Sequence, residues 1–444
     1  MTGLLTLIIA ITDILLLSAG VLALVQFVAG NINSLFKALL ASLIIVALLS
    51  DFYYLMLLTG LDFSSLLVIL LVLNMVHAWK SIPVLFRNCL SSEVETRHLL
   101  LIMLPVLAAT AFFMLHGSKY GSYDAWATWN LHARFLYNDH EWQNLFFAGR
   151  QLQAHSDYPL MVPAFVAFIW KSLGSTTFIV PMLFAFIQAL AIPLMVYAAL
   201  AEQNRIYAFF GLLIFFADSN YLSYTDAQCA DMLMALFILA SVVLLVKLRE
   251  GVDYGIATVL GFIAASTTWI KNEGDLFFVV LCLLVCLNFK KDLTVLKRFF
   301  LGAAFPLLIT ISFKMMFAPS NDLVYSGAHN TGHLIAQVLD LSRYFYIAKA
   351  FGVLLTYKFT IGLILVIVMC LFERRALITP AFILLFLTFG GYLLIYLLTP
   401  YDLRWHVSLS MDRLIMHLYP SFIFLSLYHL AQSYPIQIAG QQKR

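Results

Sequence analysis

The chain has 444 residues, 63% of them hydrophobic and only 11% charged, with a formal net charge of +3. Its mean hydropathy of +0.93 means more apolar surface than a water-soluble domain can bury, so lipid is the expected solvent for most of it. The scattered Lys and Arg form no basic stripe, and nucleic acid is therefore not an expected partner.

Hydrocarbon satisfies no backbone hydrogen bonds, which leaves helices or closed barrels as spanning forms. The apolar runs are long and lack period-two alternation, predicting an all-α integral membrane protein. In chain order they cover 3–29, 36–59, 64–86, 98–116, 176–200, 206–217, 230–247, 254–270, 275–289, 299–318, 347–371, 376–399 and 412–430. Read one by one, they predict a polytopic bundle of about thirteen transmembrane helices. Segment 159–172, "PLMVPAFVAFIWKS", is short and carries two prolines, and is expected as a juxtamembrane or re-entrant helix on the outer face. The five cysteines (Cys89, Cys229, Cys282, Cys286, Cys370) include no CxxC pair and read mostly as small hydrophobes. No cleavable signal peptide is expected, because the N-terminus lacks a basic segment and a small-residue cleavage site.

The densest short basic clusters, "FKKDLTVLKR" (289–298) and "ERR" (373–375), place those loops in the cytoplasm. Polar, aromatic-rich connections at 117–158, 218–229, 319–346 and 400–411 then fall outside, so any chemistry belongs to the outer face. No internal repeat is visible. The expected organisation is an accessory bundle over 1–97, a module over 98–298 with its large outer loop, and C-terminal helices over 299–444.

"YGSYDAWATWNLHARFLYNDHEW" (120–142) gathers Asp124, Arg134 and Asp139 among Trp126, Trp129 and Trp142. Ser122 or Asp124 could cap a helix from about 125 to 138, with its aromatic rings at the water–lipid boundary. The other reading is a site for a polar substrate at that boundary. "HSDYPLMVP" (155–163) adds His155, Asp157 and Tyr158, alone compatible with a simple turn before Pro159. Asp226 and Asp231 open a later span; five apart, they cannot share one face of an ideal helix. Asp231 lies against the apolar run, where ionisable groups are costly and usually functional. Lys271 and Glu273 in "KNEG" either neutralise each other between two spans or form part of a site. In "YDLRWHVSLSMDRL" (401–414), Arg413 could snorkel outward or hold a phosphate; His406 precedes it.

These motifs, in this order, resemble the GT-C superfamily of integral-membrane glycosyltransferases that use polyprenyl-phosphate-linked sugars. Protein O-mannosyltransferases and lipid A aminoarabinose transferases are among its members. In that superfamily an acidic motif opens the first large outer loop, a tyrosine–proline or double-proline segment closes it, and an acidic residue begins a later span. "YDAWATWNLHARFLY", "HSDYPLMVP" and "ADMLMALFILA" are similar to those three elements, and "KNEG" to a lysine-bearing turn near the donor phosphate. The likeness covers about 98–430. The usual acidic pair is Asp124–Ala125 here, so a two-carboxylate metal site at that position is not matched.

The resemblance implies a GT-C-like bundle with outer-face juxtamembrane helices and one inverting displacement, in which Asp124 is the base. It implies that Lys271, Arg413 and Arg134 meet the donor phosphate. Trp126, His155, Asp157, Tyr158 and His406 would orient sugar or acceptor. Asp231 and Glu273 would support the lysine or bind a divalent cation, with Asp226 a further supporting residue; whether a metal is used stays undetermined. The implied partners are a polyprenyl-phosphate-linked sugar donor, a glycan, lipid or protein acceptor, and membrane lipid. The implied place is a bacterial inner membrane, with the site facing the periplasm or exterior. The rival reading is a transporter or flippase of a lipid-linked glycan precursor, although no mirrored pair of broken helices is visible. A non-catalytic envelope scaffold is a third.

Overall fold

The computed structural model describes residues 3–28, 32–72, 96–146, 155–319 and 331–436. The second half of the expected run 64–86, residues 87–95 of the loop that follows and most of "PSNDLVYSGAHNTGH" (319–333) lie outside them. Among the described residues the regular elements are all helical. They are α1 (Gly3–Val28), α2 (Ser34–Thr59), α3 (Phe63–Val72), α4 (Thr96–His116), a π-helical turn (Ala125–Trp129), α5 (Asn130–Tyr137) and a 3-10 turn (Trp142–Phe146). Next come α6 (Met161–Leu173), α7 (Ile179–Ala201), α8 (Arg205–Ala217), α9 (Ser219–Ser223), α10 (Asp231–Glu250) and α11 (Tyr254–Ile270). The rest are α12 (Glu273–Asn288), α13 (Leu293–Met316), α14 (Thr331–Leu339), α15 (Leu341–Tyr357), α16 (Thr360–Phe372), a 3-10 turn (Arg374–Ile378), α17 (Pro380–Leu398) and α18 (Leu403–Ser433).

Polar residues between the apolar runs set where helices begin. A helix leaves its first amides without intrahelical partners. Asn204, Asp253 and Asp292 accept those amides with their side chains at the starts of α8, α11 and α13. Six of the described helices, α2, α7, α10, α13, α17 and α18, are long and apolar enough to cross a membrane. A membrane-embedded helical bundle is the fold class. Several other runs form shorter helices: α6 and α8 have 13 residues, α12 has 16 and α11 has 17. At 1.5 Å per residue α11 reaches roughly 26 Å, short of a ~30 Å hydrocarbon core.

Two expectations change. The run 347–371 is not one straight span: α15 and α16 meet at 95°. The chain turns at Lys358–Phe359, where the buried Phe359 packs edge-on against Tyr419 at 5.0 Å and fixes the corner. Residues 403–411, expected as outer loop, are the first turns of α18, because Asp402 accepts the Trp405 amide and starts the helix early. Arg413 therefore sits within a long helix rather than at its tip.

The centre of the bundle is α10 against α18, 94% and 89% buried along their apolar stretches. At the start of α10, Asp231 faces Arg413 and His417 of α18. Beside them α11 and α13 cross at glycines. A Cβ on Gly261 would meet the Phe299 carbonyl oxygen at 1.9 Å, and one on Gly302 would meet that of Thr258 at 1.9 Å. Further along, Thr268 Oγ1 lies 2.9 Å from Thr310 Oγ1, so the two helices run parallel, with α12 returning between them in the chain. Small residues give such helices close backbone contact, the main attraction available where lipid is as apolar as leucine. Gly302→Val should therefore destabilise the protein by about 1–3 kcal/mol, read as a lower thermal midpoint in detergent; an unchanged midpoint would mean that this crossing does not hold the bundle.

Candidate functional site

Side chains from two distant parts of the chain converge on Asp231, in the first turn of α10, where the positive end of a helix favours a carboxylate. The side chain is 1% exposed. Lys271 Nζ donates to its Oδ1 at 2.8 Å, and His417 Nε2 lies 2.8 Å from the same oxygen. Arg413 Nε donates to Oδ2 at 2.9 Å. Arg413 and His417 stand four residues apart, so they share one face of α18. Arg413 also gives Nη1 to Asp124 Oδ2, and Lys271 reaches Glu273 Oε1 at 3.2 Å. The result is a continuous line, Asp124–Arg413–Asp231–Lys271–Glu273.

Local folding explains each placement. Lys271 ends α11, and the turn to α12 is so tight that a Cβ on Gly274 would come within 2.0 Å of the Thr267 carbonyl oxygen. Lys271 and Glu273 are thereby turned inward together. Burial pulls the Lys271 pKa down, but Asp231 and then Glu273 outweigh it and leave it above its ordinary value of 10.5. Asp124 precedes the π-helical turn without bonding any of that turn's amides; its carboxylate serves the ion pair instead of a cap. The preceding loop is strapped down. Asp226 Oδ2 accepts the Ser118 amide at 2.7 Å, Gln228 Nε2 reaches the carbonyls of Ser118 and Lys119, and the Ser122 amide donates to the Ala227 carbonyl. Asp226 thus braces the loop that carries Asp124 and does not touch the lysine.

An aromatic stack stands beside the line. Tyr158 lies between Trp129, at 5.6 Å, and His155, at 5.1 Å, both near parallel to it. Burial, and then Glu273 and Asp157, hold the Tyr158 hydroxyl well above its ordinary pKa. Asp157 Oδ2 accepts from Asn272 Nδ2 at 2.8 Å, joining the 155–158 segment to the lysine turn.

A cavity of about 780 Å³ adjoins this stack. Its polar wall includes Asp157, Glu273, Asp275, Lys314 and His406; its apolar wall comes from α12, α17 and α18, with Leu276, Leu394 and Leu414. His406 Nδ1 is 2.8 Å from Thr399 Oγ1. Asp124, Lys271 and Arg413 do not line the cavity. They lie behind Tyr158, Asn272 and Glu273, with Ser410 and Leu414 flanking Arg413 on α18.

The structure therefore joins Asp124, Asp231, Lys271, Glu273 and Arg413 directly, and seats Asp157, Tyr158 and His406 at the cavity. Arg134 is exposed on α5, away from the buried face formed by His132, Ala133 and Leu136. Trp126 is exposed too, edge-on to Tyr123 at 4.7 Å. Both oxygens of Asp231 take nitrogen donors, and no group of three or more His, Cys, Asp or Glu among the described residues is arranged around a metal position. His417, Asp275 and Lys314 lie outside the quoted motifs, and Asn272, inside "KNEG", carries no role in the sequence reading. The spacing of Arg413 and His417 on an apolar helix was the one available signal, for His417. Comparison with protein families, curated proteins and solved structures gives no match for this chain.

Removing one partner of a buried ion pair costs roughly 3–5 kcal/mol, because the charge left behind stays desolvated. Asp231→Ala should lower the stability in detergent by about that amount; a change below about 1 kcal/mol would be the figure for an exposed pair and would remove the network from the folding balance. Because the folded pKa of Lys271 is raised, its contribution is complete below pH 10.5 and fades only as pH climbs through the higher folded value. The difference in thermal midpoint between wild type and Lys271→Met should accordingly be the same at about pH 7 and about pH 9.

Proposed function

We propose that this chain is a membrane glycosyltransferase of GT-C type, moving a sugar from a polyprenyl-phosphate-linked donor to an acceptor in one inverting displacement. The reading is supported above all by the Asp124–Arg413 pair, which brings together a carboxylate and a guanidinium 289 residues apart. Both are partly exposed, Asp124 by 33% and Arg413 by 23%, whereas Asp231 and Lys271 are enclosed. The shorter apolar helices complete, in this reading, a bundle of about thirteen spans in a bacterial inner membrane, with the site toward the periplasm.

An acceptor hydroxyl has a high pKa and needs a base within hydrogen-bond reach during attack; a positioned carboxylate supplies about 100- to 10,000-fold. Asp124 takes that role. The leaving phosphate gathers negative charge, and a planar guanidinium matches it. Arg413 spends Nε on Asp231 and Nη1 on Asp124, which leaves Nη2 for a phosphate oxygen. Lys271, 3% exposed between two carboxylates, acts at one remove by holding Asp231 and so the guanidinium. The adjoining cavity, polar at one wall and apolar at the other, suits a head group attached to a lipid chain.

Asp124→Asn should abolish transfer of labelled sugar from a polyprenyl-phosphate donor to the membrane acceptor fraction, with extraction and melting unchanged. Arg413→Lys should lower the rate by at least about a hundredfold, because an ammonium cannot hold both carboxylates and a phosphate in one plane. Full activity in Asp124→Asn sinks the mechanism. Outward movement of labelled lipid in vesicles without any sugar transfer would instead make the chain a flippase.

A further inference from the structure

A second opening, of about 500 Å³, shares no lining residue with the cavity. It is a slot between α2, α6, α7 and α10. On α7 it follows one stripe of the helix from Ile179 to Ala191, a length of roughly 18 Å. Its rim is open: Leu183 and Ile187 are 44% and 59% exposed. Its floor is closed, with Leu233 and Leu236 of α10 only 1% and 2% exposed. A floor so enclosed admits a hydrocarbon chain and not a helix, which is about 10–12 Å across.

Among the described residues the lining is apolar apart from three side chains, Ser42, Thr177 and Gln188. Two of them are bonded locally: Ser42 Oγ donates to the Leu39 carbonyl, and Thr177 Oγ1 accepts the Ile179 amide. Gln188 is 4% exposed, and its Oε1 is buried without a hydrogen bond. An amide oxygen shut away from water is costly unless something brings it a donor. A leucine at this position would line the slot without that cost. A hydroxyl supplies one donor in little volume and adds no charge. The isoprenoid of a polyprenyl phosphate has no polar atom along its length and leaves Gln188 unmet.

We propose that the slot binds one lipid chain carrying a hydroxyl part-way along it, which donates to Gln188 Oε1. The α6–α7 turn is the open end, where Leu173 and Ile179 are each 45% exposed. Gln188 lies roughly 13 Å further along α7 than Ile179. An extended hydrocarbon chain advances about 1.25 Å per carbon. With its head group level with Ile179, the chain therefore presents the matching hydroxyl about eleven carbons down. There the chain packs against Leu233, on the same end of α10 as the buried Asp231. The site stands whether or not the chain transfers sugar.

The test titrates the full chain in a non-ionic detergent with three lysophosphatidylcholines of equal length, read by native mass spectrometry. Their chains are stearoyl, 3-hydroxystearoyl and 12-hydroxystearoyl. The 12-hydroxystearoyl probe should bind about five- to tenfold tighter than either of the others. Gln188→Leu should remove that preference and melt no lower than wild type, because an unpaired buried amide is exchanged for hydrocarbon. Leu183→Trp fills the slot from its half-exposed rim and should weaken all three probes by about tenfold. Its position at the rim keeps the fold intact, so it tests the slot even if Gln188→Leu fails to fold.

Equal binding of the three probes by wild type overturns the proposal. So does tightest binding by 3-hydroxystearoyl, or a preference for 12-hydroxystearoyl that survives in Gln188→Leu. A change of oligomeric state in Leu183→Trp with chain binding unaltered would make the slot a helix-docking face and would equally overturn it.

Discussion

The arrangement depends on one buried carboxylate. Asp231 opens the most enclosed helix of the bundle and takes nitrogen donors from α18 twice and from the α11–α12 turn once. An ionised group so far from water is tolerable only when its charge and both oxygens are met. Meeting them draws Arg413, His417 and Lys271 to a single point, and with them α18 and the α11–α12 turn to the start of α10. The ion pairs contribute less to net stability than their number suggests, since desolvation offsets much of the attraction. Their effect is to set register: shifting α18 by one residue along α10 would turn Arg413 away and strand the carboxylate.

From that point the charges divide into enclosed and accessible. Lys271 is closed in by Asp231 and Glu273 and serves as internal support. Arg413 and Asp124 stay partly open. The loop leading to Asp124 is held without help from regular structure, by Asp226 and Gln228 bonding to backbone groups of 118–119. In the stack of Trp129, Tyr158 and His155, the Tyr158 ring stands 5.9 Å from Lys271 Nζ. Rings of that size add rigidity as well as burial.

The cavity takes its shape from helix ends. Its apolar side is built by α12, α17 and α18, and its rim includes Thr399 just beyond α17. Gln337 and Arg343, from α14 and α15, donate to the carbonyls of Thr399 and Tyr396. The carbonyls left over at the end of α17 are satisfied there, and the bent α15–α16 pair is tied to the rim. A head group at the polar wall and a chain along the leucines would meet protein on both sides.

Composition alone dictated lipid as the solvent, and uninterrupted apolar runs without alternation dictated helices, because hydrocarbon accepts no unpaired backbone. Some helix bounds were legible: the runs 206–217 and 254–270 become α8 and α11 almost unchanged, whereas α13 starts at Leu293, inside the segment read as a loop, because Asp292 caps it there. The concentration of charge near Asp124, Lys271 and Arg413 was visible as an anomaly in a greasy sequence. Who pairs with whom was not. Arg413 meets Asp231 across 182 residues and Asp124 across 289, while sequence patterns act over a turn or two of helix. Asp226 and Asp231 look alike in the chain, yet one holds a backbone amide and the other three side chains. The 95° corner at Phe359 and the early start of α18 also belong to the folded state: an apolar run has the same composition whether it runs straight or breaks, and contacts such as Phe359 on Tyr419 decide which. Only when the helices pack do charges distant in the chain become each other's nearest alternative to water.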